Sequence, residues 1–117
     1  MSKLPIVFMV IGAASLGGYL LLMYFRGIRK PIAIGFHLIL GIGALEMMVL
    51  LLKDLSDDTT PNRIGNVAIA LLALAAFVGL IMPILGRRSR TWANSLLAVH
   101  GCFGAAGVVS ALLWALR

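Results

Sequence analysis

Three ionisable side chains interrupt the long apolar stretches of this sequence: His37, His100 and Glu46. A polar group inside such a stretch costs several kcal/mol unless it finds a partner, so each of the three needs a reason to be there. His37 follows Pro31 by six residues and His100 follows Trp92 by eight, which is about 9 Å and about 12 Å along a helix. If both stretches start from the same side, the two imidazoles lie at nearly equal depth. Small residues follow each of them at helical steps: Gly41 and Ala44 after His37, then Gly104, Gly107 and Ala111 after His100. Each histidine therefore heads a strip of small side chains on its own helix face.

Two facing imidazoles suit one flat ligand with a metal at its centre. A b-type haem would take His37 and His100 as axial ligands, with Gly41 and Gly104 leaving room for the porphyrin. Its propionates would meet Arg29, Lys30, Arg87, Arg88 and Arg90. No Cys-x-x-Cys-His attachment motif is present. Two other readings stand beside this one: hydrogen bonding of each imidazole to a neighbouring helix, and another metal or a chlorophyll-like pigment. Zinc or copper would want a third ligand, and the lone Cys102, two residues past His100, points about 200° away around the helix. Cys102 reads instead as a small, soft filler, and being single it forms no intramolecular disulfide. Glu46, nine residues after His37, falls on the opposite face of its helix. It is expected to be neutral, hydrogen-bonded within the fold or turned toward a neighbouring subunit, with Lys53 seven residues on within reach from the interface.

The elements that must position these groups follow from counting. Residues 4–25, 64–86 and 91–116 carry no charge, and 31–52 has the single interruption Glu46. At about 1.5 Å per residue, each is long enough as a helix to cross a hydrocarbon layer of about 30 Å. Of the 117 residues 62% are hydrophobic and 12% charged, and the mean hydropathy is +1.06, so lipid is the solvent for most of a single small domain. Backbone facing lipid must satisfy its own hydrogen bonds, which leaves an all-α, four-transmembrane-helix bundle with short connections. It divides into two tandem hairpins, 1–52 and 53–117, each with its histidine on the second helix, as if related by a pseudo-twofold axis along the membrane normal. The apolar start is longer than a secretory signal's core and has no cleavage pattern before Arg26, so it reads as a retained helix.

The net charge of +6 sits at the ends of the apolar runs, which argues against a nucleic-acid surface. Loops 26–30 and 87–90 hold Arg26, Arg29, Lys30, Arg87, Arg88 and Arg90 with no acid, while loop 53–63 holds Asp54, Asp57 and Asp58. The positive-inside rule puts the first two in the cytoplasm and both termini and the acidic loop outside, in what reads as a bacterial inner membrane. Trp92 and Trp114 are expected at the two interfaces. Ala13/Gly17, Ala14/Gly18 and Ala75/Gly79, each four apart, read as helix-packing contacts, and Pro83 as a bend near the end of the third helix.

In its hairpin plan and its two histidine helices the chain resembles the four-helix bacterial b-type membrane cytochromes. That resemblance implies electron transfer through bound haem. Members with two haems use four histidines; the two here imply one haem, with a redox partner or a quinone to carry the electron further. Two alternatives are a cofactor-free accessory subunit of a larger respiratory or photosynthetic complex, and a proton-coupled transporter using Glu46. The chain is similar in size to the small multidrug resistance transporters, but their coupling acid is on the first helix, which here has none. A homo-oligomer fits several of these readings. No nucleophile–base pair or carboxylate dyad is present, so turnover by this chain alone is not expected.

Overall fold

A computed structural model describes residues 2–55 and 63–117. Among them the chain forms four helices, α1 Leu4–Phe25, α2 Pro31–Leu55, α3 Arg63–Leu85 and α4 Arg90–Ala115, each long and apolar enough to cross a membrane. The expected spans hold to within one to three residues. The largest difference is α2, which continues past residue 52 through Lys53 and Asp54, since a helix need not stop where the apolar run does. Asp57, Asp58 and most of loop 53–63 lie outside the described residues.

Local chemistry sets the helix ends. The first hairpin loop begins with Gly27 at φ +71°, where the Ile28 N–H donates to the Met23 carbonyl at 2.9 Å and the Gly27 N–H to that of Tyr24 at 3.0 Å. This pair of bonds closes the end of α1 and needs a residue that tolerates a left-handed backbone. Pro31 opens α2, where its missing N–H costs nothing. Ser89 caps α4, its Oγ accepting from the Trp92 N–H at 3.1 Å. Pro83 sits inside α3 two residues before its end.

The helices stand in a ring, α1 beside α2, α2 beside α3, α3 beside α4 and α4 beside α1, with α2 diagonal to α4. The bundle is a rod of 49 × 21 × 18 Å. One end carries the two hairpin loops, and the other carries the start of α1 and the end of α4. The buried cluster lies toward the terminal end: Ile6 and Val10 from α1, Ala44, Met48, Leu51 and Leu52 from α2, Ala68 from α3, Ala111 and Trp114 from α4. Close backbone approach accompanies it. A Cβ at Gly107 would stand 2.8 Å from Leu72 Cδ2 and 3.1 Å from the Leu72 amide nitrogen, so α3 and α4 meet there because position 107 has no side chain. Leu52 fills the space over Gly65 in the same way, joining α2 to α3.

The two tryptophans differ in burial. Trp92 is 49% exposed, whereas Trp114 is only 5% exposed and belongs to the core. The reason is register: it follows Ala111 by three and Gly107 by seven, so it continues the buried small-residue strip of α4. Lys3 covers it, with Nζ 4.4 Å from the ring centroid and donating to the Trp114 carbonyl at 3.2 Å. At the loop end the Tyr24 hydroxyl donates to Asn94 Oδ1 at 2.6 Å. The α1–α4 seam is thus tied near both ends.

Candidate functional site: a facing histidine pair

Each imidazole is held by the helix preceding it in its own hairpin. His37 Nδ1 lies 2.8 Å from the Ala13 carbonyl oxygen, and His100 Nδ1 lies 2.7 Å from that of Ala75. A backbone carbonyl can only accept, so a hydrogen bond of either kind requires the proton on Nδ1. In the neutral ring Nε2 is then the free lone pair. Among the described residues no buried side-chain nitrogen or oxygen lacks a partner, so neither Nε2 is sealed off in an apolar pocket.

The carbonyls are reachable because of what stands four residues further on. In a helix the side chain at i+4 leans back over the carbonyl of residue i. At Gly17 and Gly79 there is none. A Cβ at Gly17 would come to 3.0 Å from His37 Cε1, and one at Gly79 to 2.9 Å from His100 Cε1. The imidazoles therefore lie in notches cut by Ala13-x-x-x-Gly17 and Ala75-x-x-x-Gly79. These two pairs do support packing, as expected, but what they pack is the histidines; Ala14 and Gly18 are exposed, with nothing within 4 Å of a Cβ at Gly18, so that pair packs no helix. The notches are 62 residues apart and the histidines 63, so both halves of the site repeat. That repeat was the sequence signal for the partners: two Ala-Ala-x-x-Gly runs at matching positions of the two hairpins.

From diagonal helices the rings converge. Their centroids are 5.9 Å apart and their planes cross at 83°. The matched depth expected from the spacing is therefore met.

The remaining candidates are distributed more widely. Nothing lies within 4 Å of where a Cβ would stand at Gly41, and only the Ala75 Cβ, at 4.0 Å, approaches that of Gly104. Arg29, Arg87, Arg88 and Arg90 are exposed at the loop end. Lys30 is exposed there too and lines a groove between α1 and α2 with Tyr19 and Phe36. Glu46 is exposed on α2, apart from the histidines, and Cys102 is exposed on α4 rather than filling the core. Among the described residues no three of His, Cys, Asp and Glu gather as metal ligands, so the site consists of two imidazoles. No protein-family model matches the chain, and neither a curated protein nor a solved structure matches it.

Proposed function

We propose that the chain is a small membrane cytochrome in which His37 and His100 would hold one b-type haem for electron transfer. The observation that carries this reading is the approach of the two rings to 5.9 Å with both Nδ1 atoms committed to carbonyls. Centroids 5.9 Å apart would bring both imidazoles close enough to share one metal centre. An Nδ1–H donated to a carbonyl is also the usual way a ligating imidazole is oriented. Two protein ligands are too few for a zinc site, whereas a haem would supply the remaining donors to its own iron. Hydrogen bonding to the carbonyls explains the Nδ1 contact of each hairpin, and the edge-to-face meeting of the two rings is what a shared metal would add a reason for.

Bound haem would supply an iron that changes charge by one electron without a proton. The chain's own part is to hold both rings by the Ala13 and Ala75 carbonyls, to leave clearance at Gly41 and to supply cations at the loop end. Arg29, Arg87 and Arg88 are the candidates for propionate charge, whereas Lys30 lines the α1/α2 groove. With six basic and no acidic residues in 26–30 and 87–90, that end is assigned to the cytoplasm. The test is the absorption of purified protein from haem-replete cells: a Soret band and a reduced-minus-oxidised alpha band, lost in both His37→Ala and His100→Ala with membrane insertion retained. A colourless wild-type protein overturns the assignment.

One observation favours membership in a larger complex as well. Glu46 is exposed on the outer surface of α2, in a stretch with Ile39, Val49 and Leu50 also exposed. A carboxyl facing lipid is costly, so a basic or hydrogen-bonding group on a neighbouring membrane helix is its natural complement.

A further inference from the structure

The groove between α1 and α2 has a shape and charge that the histidine pair does not use. It has a volume of about 350 Å³ and is walled by Leu16, Tyr19, Pro31, Ile32, Ala33 and Phe36, with Lys30 as its one charged residue. Ile32, Phe36 and Tyr19 are exposed, so it opens outward, away from the core. Lys30 marks its polar end at the level of the hairpin loop. Leu16 lies nine residues before the end of α1, about 14 Å further in. A site with a cation at the headgroup level and an apolar channel leading toward the bilayer centre matches an amphiphile standing parallel to the helices.

We propose that this groove binds a membrane phospholipid with an anionic headgroup. The phosphate would face Lys30, and an acyl chain would lie along Ala33, Phe36, Tyr19 and Leu16. Charge complementarity selects this occupant. The hairpin loops bear Arg26, Arg29, Lys30, Arg87, Arg88 and Arg90, and no acid offsets them. Basic residues beside a seam between membrane helices attract anionic headgroups. The proposal stands whether or not the histidines hold a cofactor.

The test is native mass spectrometry of the full chain in detergent, with phosphatidylglycerol or phosphatidylcholine added at equal concentration. One phosphatidylglycerol should be retained in preference to phosphatidylcholine, and Lys30→Gln should reduce that preference about fivefold. Ala33→Phe, which fills the groove and leaves every charge in place, should abolish retention while circular dichroism shows unchanged helix content. Equal retention of the two lipids overturns the proposal. So does sensitivity to Lys30→Gln without sensitivity to Ala33→Phe, since that pattern means a diffuse charge effect with no role for the groove.

Discussion

At the scale of single residues, the site depends as much on two missing side chains as on two histidines. Gly17 and Gly79 expose the Ala13 and Ala75 carbonyls, and a methyl group at either position would press on the imidazole at 3.0 or 2.9 Å. The ring cannot retreat without lengthening its Nδ1 bond. Gly17→Ala and Gly79→Ala should therefore each cost about 0.6 to 1.7 kcal/mol, the range of hydrogen bonds between membrane helices. If haem is bound, each should also shift or weaken its low-spin spectrum. Reversible unfolding in mixed micelles measures the first effect and absorption the second. The histidines themselves were legible in the sequence because imidazole is conspicuous in an apolar run. Their carbonyl partners were not, because a backbone oxygen has no residue type and shows only indirectly, through the glycine four positions later.

Among the elements, the first hairpin turns on Gly27. Its φ of +71° is open to glycine but unfavourable for any residue with a Cβ, although nothing lies within 4 Å of where that Cβ would be. Gly27→Ala should thus act through backbone strain alone, costing about 1 to 2 kcal/mol in the same unfolding measurement. Ser89→Ala removes the oxygen that caps α4 and should cost about 1 kcal/mol, with Ser89→Asp close to neutral. Helix existence and span were readable from apolar run length, since lipid forces any such run to satisfy its own backbone. Where α2 ends was less readable, because Lys53 and Asp54 can leave the hydrocarbon while staying helical. The burial of Trp114 was not readable for a related reason: composition shows that a ring lies near a helix end, but only the register shared with Gly107 and Ala111 turns it inward.

For the whole molecule, the buried cluster toward the terminal end and the part-buried histidine pair divide the rod into a packed part and a part arranged around two polar rings. Substitutions outside both should leave the fold intact. Glu46→Gln is the informative case, since Glu46 is exposed on α2. It should change the stability of the isolated chain by less than about 0.5 kcal/mol. If Glu46 meets a neighbouring membrane helix, the same substitution should release larger proteins that co-purify with wild type after gentle detergent extraction. Unchanged co-purification would assign those contacts to another face.

The sequence by itself determined the number of helices, the pairing into two hairpins and the equal depth of the two histidines. Those features follow from one-dimensional quantities: the length of apolar runs, the position of charges and the rise per residue. Tertiary structure alone decided that the imidazoles converge to 5.9 Å, that Ala13 and Ala75 hold them, that Glu46 and Cys102 stand outside the site and that Trp114 is core. Each of these depends on how a helix is rotated about its axis. Nearly uniform apolarity around a membrane helix conceals that rotation, because lipid and protein interior make the same demand of a leucine. Close packing at glycines, together with polar contacts such as those of His37 and His100 to the Ala13 and Ala75 carbonyls, makes one rotation preferable to the rest.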